Sequence, residues 1–208
     1  MSSAASATVF VIDDDPDMRA AMQRLLKTVG LRTEAFASAK DFLQRNLREG
    51  PSCLILDIRL PGMSGLDVQR KLVEAGTRIP VIFITAHADV PLAVKAMKSG
   101  AVEFLTKPFR GQDLVDAVQQ ALAGDEAARQ ERSDIAALQQ RFSTLTARER
   151  EVMGLVASGM QTKQIASTLG MSEITVAVYR GRVTRKMHAG SSAELGRIAE
   201  KLKLPSAR

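Results

Sequence analysis

Residues 80–109 read PVIFITAHADVPLAVKAMKSGAVEFLTKPF. Pro80–Thr85 is an apolar run rich in β-branched residues, polar only at its end, the composition of a strand covered on both faces. The run from Asp89 to Ser99 has helical spacing and stops at Gly100. Ala101–Leu105 returns to strand composition, with Lys107-Pro108 directly after it. Strand, helix and strand in so short a span form a crossover unit, in which the two strands run parallel.

The same alternation extends back to residue 8. Thr8–Asp13 (TVFVID) is a strand, followed by a helix with apolar Met18, Met22, Leu25, Leu26 and Val29 that Gly30 ends. Leu31–Phe36 is a second strand. Ser38 caps a helix through about Leu47, with Asp41 in the position of a capping-box acid. Cys53–Asp57 (CLILD) is a buried-type strand, Gly65–Glu74 a helix, and a further helix begins near Gly111. Five strands alternating with helices predict a largely parallel α/β sheet, whose ligands bind outside the carboxyl ends of the strands.

Polar residues stand at those ends. Asp13 and Asp14 close the first strand, Asp57 the third and Thr85 the fourth, while Lys107 follows the fifth. Crowded carboxylates repel one another, and a divalent cation offsets that repulsion. Magnesium, which prefers oxygen ligands, is the expected cofactor. Asp14 and Asp57 are the expected direct ligands, with Asp13 acting through water and the Arg59 backbone carbonyl as a further candidate. A carboxylate so placed can act as a nucleophile towards a phosphoryl group. The Lys107 ammonium would neutralise the transferring oxygens, and the Thr85 hydroxyl would hydrogen-bond them. Taken singly, each residue has a plainer use: the Asp13–Asp15 run can cap the next helix, and Thr85 and Lys107 can be surface residues.

The set Ile12-Asp13-Asp14-Asp15-Pro16, Leu56-Asp57, Pro61-Gly62-Met63-Ser64-Gly65, Thr85-Ala86-His87 and Lys107-Pro108-Phe109 resembles the signature of response regulator receivers. The stretch onward from Thr85 resembles the NarL/FixJ branch, FixJ-like in particular. The resemblance implies a flavodoxin-like sheet of order 2-1-3-4-5. It also implies Asp57 as phosphoacceptor from a sensor histidine kinase, an acid pair at Asp13 and Asp14, and a phosphate contact at Lys107. Thr85 becomes the switch hydroxyl, Phe104 the aromatic switch position, and Lys107–Pro108 a cis peptide. Core packing is an equal reading for Phe104.

From Gly111 to about Arg141 the chain holds strong helix formers and no proline. Leu114, Val118, Ala121, Ala128, Ile135 and Phe142 lie near heptad spacing, which Asp125 and Arg132 interrupt. An extended helix is expected, with Gly124 as a candidate break.

Beyond it, Thr146 and Glu149 form a capping box opening a helix to about residue 157. A short helix follows from Thr162 to Leu169. Gly170 then turns the chain, and Ser172 caps a longer helix through Met187. Ser191 and Glu194 form another box, for a last helix to about Leu202. Ile165, Ala166 and Leu169 of the short helix and Val176, Val183 and Met187 of the long one face a core. This leaves a basic surface on the long helix suited to the major groove. LTAREREVMGLVASG and TKQIASTLGMSEITVAVYRGRVTRKM resemble the LuxR/NarL four-helix DNA-binding domain. Val178 and Arg180 are the candidate base contacts, since Ala177 and Gly181 are small where some relatives carry base-reading lysines. Lys163, Tyr179, Arg182 and Arg185 are candidate phosphate contacts, joined by Thr162 and Thr175 as further DNA-binding candidates.

Charge agrees with this division. Residues 143–208 hold 11 basic and 5 acidic groups and carry a net charge equal to that of the whole chain, +6. The expected organisation is a tail at 1–7, a receiver at 8–123, a helical linker at 124–142 and a helix-turn-helix domain at 143–208. No apolar run is long enough to span a bilayer, residues 1–7 lack a signal peptide's pattern, and the single Cys53 cannot form an internal disulfide, so no membrane partner and a cytoplasmic location are expected. Expected partners are the kinase, double-stranded DNA and, when phosphorylated, a second copy of the chain, with RNA polymerase as a further candidate. An aspartate-nucleophile phosphatase usually needs a second acid two residues on, where Arg59 stands. A small-molecule sensor needs a lined pocket, in a chain with no Trp and one Tyr. The expected protein is therefore a phosphoacceptor regulator and not a turnover enzyme.

Overall fold

A computed structural model describes residues 7–45, 50–87 and 89–204. The chain forms two compact units, 1–129 and 130–208. The first holds β1 (Thr8–Ile12), α1 (Pro16–Thr28), β2 (Arg32–Phe36), α2 (Ala39–Leu43), β3 (Ser52–Asp57), α3 (Gly65–Glu74), β4 (Val81–Thr85), α4 (Val90–Lys98), β5 (Glu103–Thr106) and the beginning of α5 (Gly111–Ser143). The sheet is parallel throughout, in the order β2-β1-β3-β4-β5. Its central strands are buried on both faces. Phe10, Ile12, Leu54, Leu56, Val81 and Phe83 pack with Phe42, Val68, Leu72 and Ala96 of α2, α3 and α4. Val9, Val11, Cys53, Ile55, Ile82 and Ile84 pack with Met22 and Leu26 of α1 and with Leu114, Val118 and Ala121 of α5. Alternation along each strand thus feeds two cores, which is why the strands read as unbroken apolar runs.

Two strands that follow helices, β2 and β5, begin later than expected. The Ala101 N–H donates to the Ala96 carbonyl and closes α4, so β5 starts at Glu103 and not at Ala101. Leu31 closes α1 on Leu26 in the same way, and β2 starts at Arg32. Backbone donors used by a helix end are not available to a ladder. The expected end of the second helix near Leu47 lies outside the described residues.

α5 is one continuous helix through Gly124. Its apolar residues are divided between two cores. Leu114, Val118 and Ala121 fill the receiver's core, while Leu138 and Phe142 pack on the core of the second unit. Asp125, read from sequence as an interruption, is buried and accepts the Ser52 N–H at 2.9 Å and the Arg129 Nε–H at 2.6 Å. It joins α5 to the start of β3.

The second unit contains α6 (Ala147–Ala157), α7 (Thr162–Leu169), α8 (Glu173–Met187) and α9 (Ser192–Lys201) around Val152, Met153, Ile165, Val176, Val183, Met187 and Leu195. The Thr146–Glu149 capping box forms as expected. At α9, Ser191 caps the Glu194 N–H, but Glu194 reaches back to the Gly190 N–H at 2.7 Å instead of completing a box on Ser191. Gly170 takes the left-handed conformation, φ 64°, that turns α7 into α8.

Candidate functional sites

In the first unit, the parallel sheet carries Asp13, Asp57, Thr85 and Lys107 to one edge. Asp13 is fully buried and Asp57 nearly so. The Lys107 Nζ lies 2.7 Å from Asp13 Oδ2 and 2.6 Å from Asp57 Oδ2. The second oxygen of each acid is also held: Asp57 Oδ1 accepts the Arg59 N–H at 2.8 Å, and Asp13 Oδ1 accepts the Asp15 N–H at 2.9 Å. Arg19 of α1 donates to the Asp13 carbonyl at 2.6 Å, a contact not foreseen from the sequence. Asp14 is exposed beside them, and one carboxylate oxygen from each of Asp13, Asp14 and Asp57 falls within 4.8 Å of the others. Helix capping falls to Asp15, which accepts from the Asp17 and Met18 N–H groups of α1.

Burial pushes the Asp13 carboxyl above its ordinary value, against the opposing pull of Lys107. For Lys107, burial acts downward, but the hydrogen bonds it donates to Asp13 and Asp57, with the charges of those acids, together outweigh it and leave the ammonium above its ordinary value. Cys53, also in β3, takes no part: burial, then the charge of Asp125, pushes its thiol up to about 12. The cluster is a set of hard oxygen donors around one ammonium. That composition fits a small divalent cation.

Gly65 brings the start of α3 against the end of β3. A Cβ there would stand 2.5 Å from the Asp57 carbonyl oxygen and 3.0 Å from Ile58 Cα, and the Gly65 N–H donates to the Ile58 carbonyl at 2.9 Å. Lys107–Pro108 is cis, as the resemblance implies. The buried Thr85 hydroxyl lies 3.2 Å from the His87 carbonyl oxygen and 3.3 Å from the His87 nitrogen. Phe104 packs half-buried on the core beside α4. On α4 itself, Val90, Val94 and Met97 are exposed.

In the second unit, α8 presents Val178, Arg182 and Arg185 to the exterior, and Lys163 of α7 is also exposed. Thr175 is tied to the start of α8, its hydroxyl 2.8 Å from that of Ser172. Tyr179 packs half-buried on the core with the Arg182 guanidinium 5.8 Å from its ring centre. Arg180 differs most from its sequence reading. Its guanidinium donates to Thr162 Oγ1 at 2.9 Å and Ser192 Oγ at 2.8 Å, tying the first residues of α7 and α9 together instead of pointing outward with Val178. Sequence reasoning passed over Ile174, which is even more exposed than Val178 one turn later.

Residues 9–119 match the family described as response regulator receiver domain. Residues 143–206 match the family described as bacterial regulatory proteins, luxR family. Nodulation protein W of Bradyrhizobium diazoefficiens is 50% identical over 196 residues, spanning 94% of this chain and 86% of that one. The transcriptional regulatory protein FixJ of Azorhizobium caulinodans is 42% identical over 197 residues, spanning 93% and 92%. Among solved structures, the response regulator StyR superposes with a TM-score of 0.84 at 45% identity, covering 95% of this chain and all of that one.

Proposed function

The chain belongs to the two-component response regulators that join a receiver to a luxR-type DNA-binding domain, and from that premise we propose that a phosphoryl group accepted on Asp57 controls its binding to DNA. The observation that carries the reading is the Asp57 carboxylate at the end of β3, bridged by Lys107 to the buried Asp13. Asp57 attacks the phosphorus of a kinase phosphohistidine. The new O–P bond forms as the N–P bond breaks, and the imidazole leaves with the electron pair. Lys107 is already within ion-pair distance of Asp57, so it meets the incoming phosphoryl oxygens without reorganising. Asp13, Asp14 and Asp57, with the Arg59 carbonyl, would hold magnesium, which when bound neutralises charge on the phosphoryl oxygens.

Thr85 then exchanges His87 for a phosphoryl oxygen. Release of His87 loosens the β4–α4 connection, and Phe104 moves with the adjoining surface. Val90, Val94 and Met97 on that surface supply apolar area for a homodimer of the phosphorylated form. Two copies of α8 then engage two half-sites of double-stranded DNA, with RNA polymerase as a downstream partner. Thr162, Lys163, Thr175, Tyr179, Arg182 and Arg185 make or position phosphate contacts. Arg180 serves the phosphate backbone from its place between α7 and α9. The protein acts in the cytoplasm as a phosphoacceptor; among the described residues no helix is long and apolar enough to cross a membrane.

Intact-protein mass spectrometry after incubation with acetyl phosphate and magnesium tests the first step. One phosphoryl adduct on the wild type and none on Asp57→Asn is expected. An adduct of equal yield on Asp57→Asn would place the chemistry elsewhere.

A further inference from the structure

We propose that α8 reads its duplex half-site through thymine methyl groups, with Ile174 and Val178 as the contacting side chains. The inference rests on the DNA-binding role of the second unit and specifies what that unit recognises. Ile174 is 79% exposed and Val178 49% exposed. Four residues apart on one helix, they occupy neighbouring places on the same face, opposite the buried Val176, Val183 and Met187. Ala177 and Gly181 lie on the same outer surface, and a Cβ at Gly181 would meet nothing within 4 Å. Small residues there let the backbone come close to the floor of a groove.

None of these four side chains carries a donor or an acceptor. The surface they form can therefore distinguish bases only by shape and apolar contact. In the major groove the apolar group on a base edge is the thymine C5-methyl, and the helix fits that groove. Of the arginines on α8, Arg180 is engaged by Thr162 and Ser192, Arg182 lies 5.8 Å from the Tyr179 ring centre, and Arg185 stands about two turns beyond Val178. Exposed Arg182 and Arg185 lie further along the same helix, Lys163 is exposed on α7, and the one exposed acid described on α8 is Glu173, a balance that favours a polyanion as occupant over an apolar protein groove.

The test selects duplexes from a randomised pool with the full-length chain in the presence of acetyl phosphate and magnesium, then measures, under the same conditions, the affinity of the recovered duplex with each thymine replaced in turn by uracil, which lacks only the methyl. For the wild type, uracil at the contacted positions is expected to weaken binding about 3- to 5-fold each, the value of one buried methyl. Ile174→Ala and Val178→Ala should lose a similar factor on the thymine duplex and become insensitive to uracil at one position each. Arg180→Ala should weaken thymine and uracil duplexes alike. Salt-dependent binding that is indifferent to uracil at every position, or variants that keep the full uracil penalty, would overturn this inference alone. A wild type that retains no duplex at low salt would overturn the DNA-binding role and this inference with it.

Discussion

At the scale of single residues, both carboxylate oxygens of Asp13 and of Asp57 are held by hydrogen bonds. Asp57 offers one oxygen to Lys107 and the other to the Arg59 N–H, so its carboxylate plane is set before any phosphoryl group arrives. Gly65 sets the clearance around it. In Gly65→Ala the new methyl meets only backbone, the Asp57 carbonyl and Ile58 Cα, so α3 must shift. We expect a loss of about 1–3 kcal/mol in the urea transition of the receiver and slower phosphorylation by acetyl phosphate. Wild-type stability and rate in that variant would mean that the close approach is unimportant. In the other unit, Glu149 is buried and accepts from Lys186 Nζ at 2.7 Å and from the Thr146 N–H at 2.8 Å. Lys186, then Thr146, hold its carboxyl below the ordinary 4.5. A lowered folded value stabilises above the ordinary pKa, and that contribution is lost as pH falls through the folded value. Denaturation from about pH 6 to pH 3 should therefore show an acid loss in the second unit that is smaller in Glu149→Gln.

At the scale of elements, α5 shows how far a sequence can be read. Its helix formers were legible, and so was its length. Its partners were not, because heptad spacing is also the spacing of a helix face laid on a globular core. Leu114 and Val118 belong to the receiver, and Phe142 to the second unit. Asp125 looked like a flaw in a seam because its partner, the Ser52 N–H, is 73 residues distant in sequence. Asp125→Ala should cost about 1–3 kcal/mol by leaving that buried donor unpaired. Gly124→Ala one position earlier should instead stabilise α5 by about 0.5–1 kcal/mol, since a Cβ there meets nothing within 4 Å. Both are read in urea melts followed by circular dichroism. The cap signals Thr146–Glu149 and Ser172 were local and therefore legible. The strand starts at Arg32 and Glu103 were not, because the preceding helix ends took the backbone donors of Leu31 and Ala101.

At the scale of the whole molecule, the convergence of Asp13, Asp57 and Lys107 followed from strand–helix alternation, since parallel crossovers carry strand ends to one edge, while strand order came from the receiver resemblance. The partners of Arg180 did not follow. Its residue type and helix position fit a base contact, and only the three-dimensional meeting of α7, α8 and α9 reveals Thr162 and Ser192 as its partners. The central claim is a coupling between the two units, through which phosphate on Asp57 changes the affinity of α8 for DNA. The most direct measurement is the affinity of the full-length chain for a duplex selected from a random pool, with and without acetyl phosphate and magnesium, for the wild type, Asp57→Asn and Thr85→Ala. A rise of about 5- to 150-fold in the wild type, absent in Asp57→Asn and reduced in Thr85→Ala despite retained phosphorylation, is expected. Equal affinity of phosphorylated and unphosphorylated wild type would contradict the account.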